Sequence, residues 1–495
     1  MKLLSIICCG FFCVMGVHAE TNNVRSLSLQ EAIKLAVAHN FDVQISRLTP
    51  DINSITLWGD YAAYDPSFSV GGSDGYSKSG SAYNTTTGTY TTATQSYDQS
   101  YNTGVNGLLP FGTKYNVVGN TERINNIYSG TEAPSQYTTG AGVSLSQPLL
   151  KNFWTDSSRT LIAVAKNTLK GSELDFRYNL ISIVAKTEQN YYELICLYEN
   201  IKVQETALAL AKQLASENKR KVELGAMAPL DEKQAESQAA ASQAALTEAQ
   251  GQLDQQQNLL KALITDQYSD WHKVKVIPSD QLVAVQEKFD IQESWKKGIA
   301  KRPDLLSAKV SLESRGITLK YQKNQLFPQL DLVGTYGRNG LATSLNPAID
   351  DIGNDRLPYY SIGATLTIPL SNRAARSAYR QTKVQIAQDM LRTKQLEQNI
   401  LISIDNAIKS ANTYYETIQS TRAAREYAEE ALKAEQKKLE VGQSTSFQVL
   451  QLQKDLTAAR LNEIRALANY NEALATVASN EGTTLEKYKL TVKVN

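Results

Sequence analysis

The chain has 495 residues, with 51 Lys and Arg against 50 Asp and Glu, so its formal net charge is +1. That balance excludes a typical nucleic-acid binder, which clusters a basic excess on one face. Beyond residue 19 there are two histidines, His39 and His272, without metal-ligand spacing, and no GxSxG, HExxH or phosphate-binding glycine loop occurs; no catalytic, metal or cofactor site is expected.

Lys2, the apolar run 3–17 and the small-residue site Val17-His18-Ala19 predict a secretory signal over residues 1–19, with mature protein beginning near Glu20. Cys8, Cys9 and Cys13 leave with it. Cys196, in Leu194-Ile195-Cys196-Leu197, then remains alone and reads as a buried apolar position. No later run approaches the roughly 18 apolar residues of a spanning helix. A mature chain that crosses a membrane must therefore do so as a closed β-barrel.

The remainder is written twice. Asn40-Phe41-Asp42 recurs as Arg302-Pro303-Asp304, and Pro66 as Pro328, both at a shift of 262. Pro148 recurs as Pro369 (shift 221), and Gly225 as Gly442 (shift 217). Between its two prolines the first copy spends 148 − 66 = 82 residues and the second 369 − 328 = 41. From proline to glycine the lengths nearly agree, 225 − 148 = 77 and 442 − 369 = 73. A variable segment is followed by a rigid spacer.

Strand alternation appears at Phe68, Val70 and Gly72, at Leu330, Leu332, Gly334 and Tyr336, and over residues 361–370. Gly142, Ser144 and Ser146 share a face opposite Val143 and Leu145, and Phe153-Trp154 suits an interfacial belt. Such segments fit transmembrane barrel strands, and locally they fit a soluble sandwich equally well. The 41-residue excess of the first copy (82 − 41) lies within residues 71–137, and it is expected to be a large external loop with its own hairpin around Asn106–Gly112; the alternative is that it adds two strands.

From Asp156 to Glu223 there is no proline and one internal glycine, Gly171; Ala374–Glu440 has neither. Each predicts a helix on the order of 100 Å long, which implies coiled-coil packing. The return helix carries a seam at Ala235, Ala239, Ser242, Leu246, Ala249, Leu253, Gln256, Leu260 and Leu263, spaced alternately four and three. At a shift of 217 the stripe survives, broken at Glu463 and Asn480. Four strands and two helix pairs leave raw edges, so a homo-oligomer with a heterologous, ring-closing interface is expected.

Ser28-Leu29-Gln30-Glu31-Ala32, the duplicated Asp and Pro landmarks, Gln147-Pro148-Leu149 and the turns at Leu224-Gly225 and Val441-Gly442 together resemble the outer membrane factors, the TolC-like outer-membrane efflux proteins. The resemblance spans the mature chain. It implies a mixed α/β membrane protein: a homotrimer with a twelve-stranded transmembrane β-barrel, four strands per protomer, continued by a periplasmic α-helical coiled-coil barrel. It divides the chain into residues 20–265 (first repeat), 266–301 (equatorial connection), 302–480 (second repeat) and 481–495 (equatorial tail). Its implied partners are outer-membrane lipid, a periplasmic adaptor and an inner-membrane pump, for drug, metal or type I protein export. Docking on the adaptor would fall to the tip turns, Leu224, Gly225, Asp231, Val441 and Gly442, with Val222, Met227 and Leu439 alongside. Best-known members carry carboxylates six and nine residues after the second glycine, at the channel constriction. Here Gln448 and Gln451 occupy those places, so a neutral constriction is expected, and Ser444 and Leu439 replace the usual latch residues. The rival class is a trimeric surface-exposed coiled-coil adhesin or structural envelope protein, which would not need strand pairs ahead of its helices.

Overall fold

The structure, a computed structural model, describes residues 24–90, 93–128 and 131–490, apart from the Asn84 side chain. The expected signal lies outside the described residues. In chain order the main elements are β1 (Val24–Leu27), α1 (Leu29–His39), α2 (Phe41–Asp60), β2 (Ser67–Ser79), β3 (Thr94–Leu108), β4 (Lys114–Tyr128), β5 (Gln136–Pro148), α3 (Ser157–Glu223) and α4 (Pro229–Ile264). Next come β6 (Lys275–Pro278), α5 (Ile291–Lys301), α6 (Pro303–Asn324), β7 (Gln329–Ala342), α7 (Leu345–Gly353), β8 (Leu357–Thr367), α8 (Arg373–Glu440) and α9 (Ser446–Glu481). The paired landmarks sit at element boundaries. Asp42 and Asp304 lie in the first turns of α2 and α6, and Pro66 and Pro328 directly precede β2 and β7. Among the described residues no helix is long and apolar enough to cross a membrane.

The chain forms two compact units, each drawing on both halves of the sequence. One holds Ser46–Arg177 and Pro303–Asn399. Its centre is an antiparallel sheet of six long strands in the order β8-β7-β5-β4-β3-β2, with Thr131–Glu132 paired at the end of β4. This corrects the expectation of an external loop. β3 and β4 each run 15 residues and lie in the sheet between β2 and β5. Strand register sorts the side chains by face, because successive residues of a strand point to opposite sides. Phe68, Val105, Val117, Val143, Tyr336 and Tyr360 form one row across all six strands. The adjacent row, on the other face, is Ser67, Asn106, Asn116, Ser144, Thr335 and Ser361. All of the apolar row but the half-buried Val105 is exposed, from Val143 at 41% to Tyr360 at 80%.

Helix α7 folds onto the apolar-row face at the far end of β5 and β7. The Thr139 hydroxyl donates to the Ala348 carbonyl at 2.7 Å. A Cβ on Gly340 would meet that same carbonyl oxygen at 1.8 Å, so glycine is what permits the approach. On the other side of the sheet's ends, four helices stand in a row. Arg47 of α2 lies over Phe176 of α3, Gly171 of α3 faces Ser307 of α6, and Arg315 of α6 pairs with Asp389 of α8 at 3.2 Å.

The other unit comprises residues 24–45, Tyr178–Arg302 and the helices from Ile400. Helices α3 and α8 are 67 and 68 residues long, and their return partners α4 and α9 are 36 each. On α4, seven of the nine seam positions are buried, all but Ala239 and Leu263. The two breaks in the second stripe have partners: Glu463 accepts from Arg422 and Arg425, and Asn480 donates to the Ser403 carbonyl at 3.1 Å. A two-stranded parallel ladder, β1 with β6, and the strap of chain that follows β6 are held by helix tyrosines. Tyr191 donates to the Leu27 carbonyl, Tyr198 to Val276 and Tyr470 to Val285, at 2.7, 2.9 and 2.5 Å.

Candidate functional site at the two helix turns

Each long helix ends in the same backbone device. Gly225 and Gly442 adopt φ of +72° and +78°, the left-handed conformation that a side chain disfavours. The Gly225 amide donates to the Val222 carbonyl and the Ala226 amide to Lys221, at 2.9 and 2.8 Å. In the second turn Gly442 donates to Leu439 and Gln443 to Lys438, at 3.2 and 2.8 Å. Both are Schellman closures, which satisfy the last carbonyls of a helix and reverse the chain.

Past the glycines the two turns diverge. Helix α4 opens with Pro229 at its first position and no side-chain cap, and Asp231 and Glu232 bring negative charge to its N-terminus. Helix α9 is capped by Thr445, whose hydroxyl accepts from the Gln448 amide at 3.4 Å. Two turns before the glycines, the equivalent positions are Asn218 and Glu435. Asn218 is wholly buried; it donates to the Asp231 carbonyl at 3.2 Å and accepts from the Ser446 hydroxyl at 3.1 Å, tying the first hairpin to the second. Glu435 accepts from Ser444 at 2.5 Å and from Lys438 at 3.1 Å, and these two bonds hold its carboxyl below the usual range. Ser444 is thus engaged inside its own hairpin. Beneath the turns Leu214, Ala235, Leu432, Val449, Leu450 and Leu456 form a core.

Leu224 and Val441 are exposed, at 76% and 69%. Leu439 instead packs on the core, and Met227 turns toward Ser446, its sulfur 3.9 Å from the hydroxyl. Two apolar residues that sequence reasoning missed, Leu230 and Phe447, are exposed and flank a groove of 390 Å³ between α4 and α9. Their signal was available, since they too are related by the shift of 217. Gln451 lines the same groove, with Lys233, Gln234 and Lys454. Gln448 is exposed, and Gln451 donates to Asp455 at 3.1 Å. The spacing three and then four puts Gln448, Gln451 and Asp455 on one helix face.

Further up the hairpins a polar cavity of 540 Å³ is lined by Gln189, Ser403, Asn406, Tyr414, Glu472 and Thr476 among others. Burial, and then the neighbouring Glu193, push the Glu472 carboxyl up to about 7, against the pull of Arg465. Arg465 itself is clamped on Glu193, with Nη2 at 3.1 Å from Oε1. Cys196 is buried, and desolvation pushes its thiol up to about 12. Glu188 is fully buried and receives Tyr488 and the Lys487 ammonium, the latter at 2.8 Å. Among the described residues no group of His, Cys, Asp and Glu could hold a metal ion.

A family model described as outer membrane efflux protein matches residues 114–265 and 296–483. The pyoverdine export outer membrane protein OpmQ of Pseudomonas aeruginosa is 22% identical over 345 residues, 67% of this chain and 68% of that protein. The outer membrane efflux protein BepC of Brucella suis is 23% identical over 349 residues, 69% and 72% of the two chains. Among solved structures, the Campylobacter jejuni CmeC outer membrane channel superposes with a TM-score of 0.67 at 17% identity, covering 93% of this chain and 88% of that one. The outer membrane protein VceC of Vibrio cholerae gives 0.66 at 15%, covering 92% and 96%. A two-faced sheet feeding long antiparallel helix pairs, matched over most of the sequence, places this chain in the outer membrane efflux protein family, as a TolC-like channel of the Gram-negative outer membrane.

Proposed function

We propose that the chain is one protomer of a homotrimeric exit duct, the passive outer-membrane part of a tripartite efflux or type I secretion system. The observation that carries this reading is the pair of adjacent rows in the sheet. Six apolar side chains lie on one face and six small polar ones on the other, as a wall between lipid and water requires. An adhesin would have no use for such a wall. Heat-resistant trimer bands and ion conductance in planar bilayers are the expected results; a protein that remained water-soluble without lipid or detergent and formed no pores would overturn the reading.

The tip turns are the docking surface for a periplasmic adaptor. Leu224, Leu230, Val441 and Phe447 would supply apolar anchors, and Asp231 a carboxylate on the first hairpin only. An inner-membrane pump supplies the energy, and binding of the adaptor favours an opened arrangement of the hairpins. The constriction would be lined by Gln448 and Gln451, which keep it polar and uncharged. Asp455, one turn on, is the next carboxylate along α9 and accepts from Gln451, so the charge is moved along the helix rather than removed. A disulfide through Met227→Cys and Ser446→Cys would lock the two hairpins of a protomer. Export should stop on oxidation and return on reduction; unchanged export in the oxidised protein would rule out a gate at the tips.

A further inference from the structure

We infer that the trimer closes an eighteen-stranded barrel upon twelve helices, α2, α3, α6 and α8 of each copy, with β3 and β4 as full members of the membrane wall. This rests on the trimeric duct reading and adds the strand count, 3 × 6 = 18, against 3 × 4 = 12 for a protomer whose insert stayed outside.

The geometry of one unit carries it. β3 and β4 pair with each other from Thr94 with Tyr128 to Leu108 with Lys114, and each pairs along its other side with β2 or β5. They share both rows: Val105 and Val117 continue the apolar row, Asn106 and Asn116 the polar one. A hairpin standing in water would have no reason to present an apolar residue at that level and a polar one at the next.

The two ends of the sheet fit each other. β2 and β8 are the edge strands, and each lacks a partner on its outer side among the described residues. Six strands alternating in direction leave the first and last antiparallel, so β2 of one copy can pair with β8 of the next. Lipid admits no open edge, so this pairing must be made. The helix row ends at the same two places, because α2 leads into β2 and α8 comes directly after β8. The occupant of both edges is therefore a second copy of this chain. At one end α2 bears a bare stripe of Phe41, Ile45, Leu48, Ile52 and Ile55, spaced four and three; at the other, α8 exposes Val384 and Leu391, seven apart. The seam between copies runs without a break from strand into helix.

Six strands stand over four helices in each copy, so strands and helices do not match one to one. Barrel diameter grows roughly linearly with strand number, and 18 against 12 makes this one about half again as wide as a four-strand protomer would give.

Single cysteines at Asn102, Thr103, Val105 and Asn106 of the full-length protein in lipid vesicles test this. Asn102→Cys and Asn106→Cys should react with a membrane-impermeant maleimide. Thr103→Cys and Val105→Cys should resist it, and a bimane on them should be quenched by brominated lipid. Reaction at all four with no quenching would put the hairpin in water and overturn the inference while leaving the trimer intact. Absence of a trimer band and of pores from the unmodified protein would overturn the duct reading itself.

Discussion

Asn218 is the residue on which the two tip hairpins depend most directly. Its side chain is buried, and both of its bonds cross between elements, to Asp231 on α4 and Ser446 on α9. Asn218→Ala leaves the Ser446 hydroxyl and the Asp231 carbonyl without this partner in a site closed to water. The cost should be about 1–3 kcal/mol, read as faster amide exchange at both turns and a higher resting conductance. Glu472 should give pH dependence. Its carboxyl is raised from the ordinary 4.5 to about 7, chiefly by burial and then by Glu193, with Arg465 opposing. The folded chain therefore holds this proton more tightly than the unfolded one. The associated stability is full below about pH 4.5 and is lost as pH rises through 7. Glu472→Gln should flatten the fall in Tm between pH 5 and pH 8, whereas an unchanged slope would assign that dependence elsewhere. Cys196 is read as inert in the folded chain, since a thiol pushed to about 12 is scarcely ionised at neutral pH.

At the scale of elements, the long helices were legible almost to the residue. They span Ser157–Glu223 and Arg373–Glu440, where the absence of proline and, but for Gly171, of glycine predicted Asp156–Glu223 and Ala374–Glu440. The reason is local: period and helix breakers are written within a turn or two of where they act. The turn glycines were legible on the same ground. Both hold positive φ, so Gly225→Ala or Gly442→Ala should cost roughly 1–2 kcal/mol and fray the last helical turn, seen as exchange at residues 221–226 or 438–443. The place of β3 and β4 in the sheet was not legible, although the turn between them around Asn106–Gly112 was. Both strands are rich in Ser, Asn and Gly, which favour turns and loops, and only pairing with β2 and β5 fixes them in the sheet. That pairing is non-local, and a polar wall facing water looks, residue by residue, like a loop in water. Leu230 and Phe447 escaped notice for a related reason. Exposure, not type, marks them, and exposure depends on how α4 and α9 pack.

For the whole molecule, the uncovered edges read from the sequence are the ground for the proposed assembly, and the structure adds where the uncovered faces are. Helix α2 shows Leu48, Ile52 and Ile55 to solvent, with Trp58 80% exposed at its end. A bare apolar stripe of that length marks an interaction face. Ile52→Asp with Ile55→Asp places two charges in it. Helix α2 should survive, because neither side chain is buried in the protomer, while trimers should be lost from detergent extracts on size-exclusion chromatography. Trimers in wild-type yield would mean that α2 faces water in the assembly. The three tyrosine hydroxyls at Leu27, Val276 and Val285 bear on how such an assembly could move. Each is a short bond to a main-chain carbonyl and fails once the partners slide by about an ångström. Helices so bolted cannot translate past the strap they hold, although their free ends, many turns away, can still swing. The strap is then a fulcrum. A partner pulling on the turns would work a set of levers, and bending would fade at the level where Tyr191, Tyr198 and Tyr470 take hold.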